Sequence, residues 1–238
     1  MPHPRFSDVR WFAELDSTNR LAAELARAGA PDGLVVGADH QTAGRGRRGR
    51  RWESRPGASL LVSVVLRPVP PLVTLAAGVA AAEACEAVTG RPVRLKWPND
   101  LLVDGHRKVG GILSELVGDA AVVGLGVNLT WAPPGAACLG PSGPGSGVAG
   151  PSGPGSGVAG PEVDRDGLLA AYLRALDRPD GVLDRYRARC ATLGRHVRVQ
   201  LPRETVEGRA TDVDEEGRLV VDGRRIGAGD VVHLSAPE

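Results

Sequence analysis

The chain has 238 residues, 29 basic against 28 acidic side chains, and a formal net charge of +1. That length allows one sizeable core plus a small second domain, and the charge balance argues against bulk electrostatic binding to nucleic acid. No apolar run is long enough to cross a bilayer, and Met1 to Arg10 lack the apolar centre of a signal segment. Cys85, Cys138 and Cys190 lie too far apart for metal-ligand spacing, so no metal site of the protein's own is expected, and the thiols suit a reduced, cytoplasmic setting.

Residues 9–15 alternate as a first strand. Asp16-Ser17-Thr18-Asn19 is a cluster of helix-capping types, and Leu21, Leu25 and Ala28 form a helical stripe ended by Gly29 and Pro31. Residues 34–39 read as a short strand running into Gln41-Thr-Ala-Gly44-Arg45-Gly46-Arg47-Arg-Gly-Arg50-Arg-Trp52. Glycine permits positive φ and close approach to a ligand, and arginine carries a fork of donors matched to phosphate and carboxylate. Two readings stand side by side: a mobile loop that folds over an anion, or a solvated basic arm for nucleic acid.

Residues 59–66 are strand-like, and 72–88 read as an alanine-rich buried helix. Residues 93–97, 101–103, 109–117 and 121–129 read as successive strands. The expected fold is a mixed α/β (α+β) domain with a largely antiparallel sheet. Three motifs sit on it: Lys96-Trp97-Pro98-Asn99-Asp100, Lys108-Val-Gly-Gly111-Ile-Leu113, and Gly124-x-Gly126-x-Asn128. Each taken alone favours a purely structural role over a functional one.

The decapeptide at 140–149 is repeated identically at 150–159, and its Gly/Pro/Ser composition cannot form a core. Residues 132–161 are therefore expected to be a disordered insertion. Beyond it, 164–177 reads as an amphipathic helix with Leu168, Leu169, Tyr172, Leu173 and Leu176 inward, and 181–191 as another. Strands at 197–201, 206–213, 219–221 and 231–234, separated by glycine turns, predict a small SH3-like β-barrel. The expected division is a catalytic domain over 1–190 and a β-domain over 191–238.

Taken together and in this order, Asp16–Asn19, Gln41–Arg50, Trp52, Lys96–Asp100, Lys108–Leu113 and Gly124–Asn128 resemble the biotin protein ligases, over about residues 11–129. The resemblance implies a catalytic domain of the biotin/lipoate ligase type. Its activity would be ATP-dependent attachment of biotin, through biotinyl-5′-AMP, to a lysine of biotin carboxyl carrier protein domains. ATP with Mg²⁺ and biotin would be its substrates.

The resemblance also assigns roles. Lys108, Arg47 and Asp100 would be catalytic. Ser17, Thr18, Asn19, Gln41, Gly44, Arg45, Gly46, Arg47, Lys108 and Gly111 would bind biotin. Arg47, Arg50, Trp52, Lys96, Asn99, Lys108 and Asn128 would bind the nucleotide. Asp100 would organise phosphate, Mg²⁺ or the incoming lysine, or brace Arg47. The chain starts near the catalytic domain, so a DNA-binding winged helix, repressor activity and a DNA partner are not expected. Neither is a membrane partner, and a monomer or weak homodimer is expected. The alternative is a lipoate ligase-like acyl-adenylating enzyme, although its consecutive glycines and histidine are missing from the loop.

Overall fold

The computed structural model describes residues 4–140, 163–178 and 180–234. Strand β1 (Val9–Leu15) is followed by α1 (Thr18–Arg27) and by β2 (Val35–Gln41), which pairs parallel to β1. The strands β3 (Ser59–Leu66), β4 (Arg94–Lys96), β5 (Asp100–Val103), β6 (Arg107–Val117) and β7 (Ala120–Asn128) then complete a sheet of order β1-β2-β3-β7-β6-β5-β4. Every pairing after the first is antiparallel. The parallel pair exists because a helix crossover separates its strands, whereas short turns join β4 to β5, β5 to β6 and β6 to β7.

Both faces of this sheet are covered, which is why β3 is apolar except at Ser59 and Ser63 and is buried along its whole length. Leu60, Val62, Val64 and Leu66 face α2 (Val73–Thr89); Val65 faces α1 with Ala22, Ala23 and Ala26. The alanines of α2 let it lie close to the sheet, and α3 (Arg165–Leu176) and α4 (Val182–Arg189) pack outside it. Gly90, with φ 67°, ends α2 in the left-handed conformation that glycine adopts without strain.

The C-terminal strands β8 (His196–Gln200), β9 (Thr205–Val213), β10 (Leu219–Val221), β11 (Arg224–Ile226) and β12 (Asp230–His233) form an antiparallel sheet of order β11-β10-β9-β8-β12. No pairing joins β11 to β12 among the described residues, so the expected barrel is an open five-stranded sheet. Strand β11 escaped the sequence reading because Arg224 and Arg225 mask a strand whose one buried side chain is Ile226.

The expected insertion needs correcting at its start. Residues 132–140 are packed: Ala132, Ala137, Cys138 and Leu139 are buried. Backbone bonds tie Ala137 to Lys108, Leu139 to Asn128 and Gly140 to Leu129. Proline and glycine at 133–135 suggested a tract without structure, but the apolar residues after them find a place beside β7. Residues 141–162, which hold most of the repeat, lie outside the described residues.

Candidate active site

A cleft opens on the α1 face of the large sheet, at the N-terminus of that helix. Its floor is built from glycine. Gly126 of β7 stands in register between Gly111 of β6 and Leu61 of β3, and Gly124 between Leu113 and Ser63. Each glycine leaves room for a different side chain. A Cβ on Gly126 would come within 2.7 Å of the Trp52 indole, one on Gly124 within 2.0 Å of Asn19 Oδ1, and one on Gly111 within 3.4 Å of Lys108 Nζ. Sequence reading named Gly111 but chose Asn128 from the Gly-x-Gly-x-Asn motif. The two earlier glycines carry the signal instead, because they alternate onto the cleft face.

The arginine-rich segment is a small hairpin and not an open loop. Gly46 N–H donates to Arg50 at 2.7 Å, Trp52 N–H to Gly44 at 2.9 Å, and Arg45 and Arg51 form an antiparallel bridge. Its tip turns through Arg48 at φ 54° and Gly49 at φ 73°. Gly44 has to be glycine, since a Cβ there would lie 2.5 Å from the Trp52 carbonyl.

The hairpin's arginines reach in three directions. Arg45 meets Glu115 of β6. Arg47 donates from Nη1 to Asn99 Oδ1 at 3.2 Å and to the Gly229 carbonyl at 3.4 Å. Arg48 and Arg50 both pair with Asp230 of β12. The C-terminal sheet therefore forms one wall of the cleft, through Asp230 and Val231. Nothing in the sequence pointed to Asp230, which reads as an ordinary turn residue after Gly229.

Opposite the hairpin, Lys108 Nζ lies 2.5 Å from Asp100 Oδ1 and 5.9 Å from the centre of the Trp52 ring. Asp100 thus holds Lys108, while Asn99 takes the part of bracing Arg47. Asn99 is itself fixed, its Nδ2 donating to the Ile112 carbonyl at 2.7 Å. The Lys96-Trp97-Pro98-Asn99-Asp100 connection is anchored from behind. Trp97 is fully buried, with its indole N–H on the Gly217 carbonyl of the second sheet at 3.0 Å.

At the helix end, Thr18 N–H and Oγ1–H both donate to Gln41 Oε1, at 2.7 and 3.0 Å. Gln41 thus satisfies a terminal N–H of α1 that a local cap would otherwise take. The Ser17 side chain makes no capping bond and lines the cleft.

Six cations (Arg45, Arg47, Arg50, Arg51, Lys96 and Lys108) and two carboxylates (Asp100 and Asp230) line this space. On a chain of net charge +1 this is a focused positive site. Burial pushes the Arg47 and Lys96 side chains below their usual pKa ranges, which marks both as partly desolvated cations. The buried Trp52 Nε1 has no partner among the described residues.

Of the residues expected at the site, Gly44 does not line the cleft and Asn128 stands apart. Asn128 is buried beneath residues 132–140 and donates from Nδ2 to the Ala137 carbonyl at 3.0 Å. Cys85, Cys138 and Cys190 are buried away from the cleft, and burial lifts the Cys85 thiol to about 12. No helix among the described residues is long and apolar enough to cross a membrane.

A mixed sheet with a glycine floor and a cationic hairpin forms a cleft suited to anionic ligands. The family of biotin/lipoate A/B protein ligases matches residues 11–128, and the biotin protein ligase C-terminal domain matches residues 192–234. The biotin–[acetyl-CoA-carboxylase] ligase of Mycobacterium tuberculosis is 39% identical over 250 residues, spanning 93% of this chain and 87% of that one. The chain belongs to the biotin protein ligase family and is a biotin ligase.

Among solved structures, the biotin protein ligase from Aquifex aeolicus in complex with biotin and ATP superposes with a TM-score of 0.76 at 26% identity, covering 97% of this chain and 100% of that one. The enzyme from Leishmania major in complex with biotinyl-5-AMP gives a TM-score of 0.62 at 25% identity, covering 97% and 99%.

Proposed function

We propose that this enzyme joins biotin to a lysine of a biotin carboxyl carrier protein domain in two steps within the one cleft. In the first, a biotin carboxylate oxygen attacks the α-phosphorus of ATP, a C–O–P linkage forms, and pyrophosphate leaves. In the second, the carrier's lysine amine attacks the activated carbonyl, an amide forms, the amine loses a proton, and AMP leaves.

The observation that carries this reading is Lys108, held over Gly111 by Asp100 amid the cleft's cations. Step one brings two anions together, so its barrier falls where positive charge is already in place. Lys108 is suited to bridge the biotin carboxylate and the α-phosphate. Ser17, Thr18, Asn19 and Gln41 offer the ureido ring a mixed set of donors and acceptors. Trp52 offers the adenine a ring face, and Arg47 and Arg50 face the phosphates. Mg²⁺ would enter bound to ATP, whose phosphates supply oxygen ligands of the kind it prefers.

The name of the mycobacterial relative supports a carboxylase carrier as acceptor. The near-neutral charge supports catalysis without DNA binding, and three cysteines too far apart for metal-ligand spacing support a reduced, cytoplasmic setting. The test is to incubate the protein with ATP, Mg²⁺, biotin and a carrier domain and to weigh the carrier. A biotin adduct on its lysine is expected. An adduct formed with lipoate and not with biotin would favour the lipoate-ligase reading.

A further inference from the structure

Arg45 is gripped end-on by a side chain to which sequence and mechanism assign no role. Its Nη1 donates to Glu115 Oε2 at 3.1 Å and its Nη2 to Oε1 at 2.9 Å. The same Oε2 accepts from Asn19 Nδ2 at 3.0 Å. Asn19 is 4% exposed. Its Nδ2 also donates to the Leu113 carbonyl at 3.1 Å, and its Oδ1 accepts the Ser63 hydroxyl at 2.6 Å. Ser63 Oγ lies 2.9 Å from Thr18 Oγ1, which donates in turn to Gln41.

The series Arg45–Glu115–Asn19–Ser63–Thr18–Gln41 thus leaves the hairpin segment and returns to it. It closes a ring of polar contacts around the segment from Gln41 to Arg45. An ordinary surface ion pair contributes little. This one is bidentate, and its carboxylate is tied to a buried amide that cannot turn away, so its effect is on direction more than on stability. The guanidinium has five N–H donors, and two serve Glu115, which leaves the others for an anionic ligand.

We propose that Glu115 is a positioning residue. It sets the direction of the Arg45 guanidinium toward the biotin carboxylate and the acyl phosphate, and it couples the hairpin to the Thr18–Asn19 pocket. This rests on the reading that the cleft binds biotin and its adenylate. If Glu115 were instead a competing anion that Arg45 abandons for ligand, its removal would tighten binding.

The experiment compares full-length wild type, Glu115→Gln, Arg45→Gln and the double variant. It measures release of preformed biotinyl-5′-AMP by tryptophan fluorescence, with the KM for ATP and the Tm alongside. Glu115→Gln is expected to release the adenylate about tenfold faster, the size of effect that loss of a charge-assisted contact produces. The KM for ATP and the Tm should stay close to wild type, and the double variant should be no worse than Arg45→Gln. Unchanged or slower release, or additive effects of the two substitutions, would overturn the proposal. Should Glu115→Gln fail to fold, Glu115→Asp keeps the charge but withdraws it by one methylene, and wild-type retention by that variant would overturn it equally. A wild-type protein that neither binds biotin nor releases pyrophosphate would overturn the functional reading itself, and this proposal with it.

Discussion

Lys108 and Gly126 divide the work of the cleft at the residue scale, one by supplying charge and the other by withholding a side chain. Lys108 sits 2.5 Å from Asp100, so its ammonium needs little rearrangement when substrate anions arrive. Lys108→Ala should slow pyrophosphate release by about 10²–10³ with the fold intact, since loss of one preorganised charge costs that much elsewhere. Near-wild-type release would take Lys108 out of the chemistry. Gly126→Ala should act differently, because its methyl group would lie 2.7 Å from the Trp52 ring and push it aside. The expected outcome is a several-fold rise in KM for ATP with a shifted tryptophan emission and a nearly unchanged Tm. A crystal structure of the variant with Trp52 undisturbed would refute that. Residue types were legible here, since arginine, lysine and tryptophan advertise their chemistry. Partners were not: Glu115, Ser63 and Asp230 have the look of ordinary strand and turn residues until three dimensions bring them to the hairpin.

At the scale of elements, α2 and β12 give two tests of stability. Gly90 caps α2 at φ 67° with no atom within 4 Å of where a Cβ would go. Gly90→Ala should therefore cost about 1 kcal/mol from backbone strain alone, read as a lowered urea midpoint at unchanged activity. On β12, burial, followed by Lys96 and Arg195, holds the His233 imidazole down to about 4, against 6.5 in the unfolded chain. As pH falls from 6.5 toward 4, the unfolded chain takes up a proton that the native state refuses, so this group's stability is intact above 6.5 and lost across that window. The wild-type Tm should consequently fall more steeply between those pH values than that of His233→Gln. Parallel curves would show that His233 is not responsible. Element types followed from periodicity almost everywhere. The failures were β11, too short and charged to show a pattern, and residues 132–140, whose order comes from docking against β7.

At the scale of the whole molecule, the two sheets share one core. Val197, Val199, Ala210, Val213 and Leu219 belong to the same apolar cluster as α2 and β3, and Trp97 reaches across to Gly217. Urea unfolding should therefore be a single transition, with tryptophan fluorescence and far-UV circular dichroism superimposing. Two separated transitions would mean that the C-terminal sheet is an independent unit. The sequence by itself determined the succession of strands and helices, the cationic segment and the lysine motif, because these depend on spacing and residue type within a few neighbours. It also sufficed to suggest the family, since the motifs occur in one order. Only the tertiary structure decided that β1 and β2 run parallel, that glycines from two strands form one floor, and that Asp230, more than 180 residues from the hairpin in sequence, closes the cleft. The physical reason is that such arrangements are fixed by register and by packing between distant segments, which local periodicity does not encode.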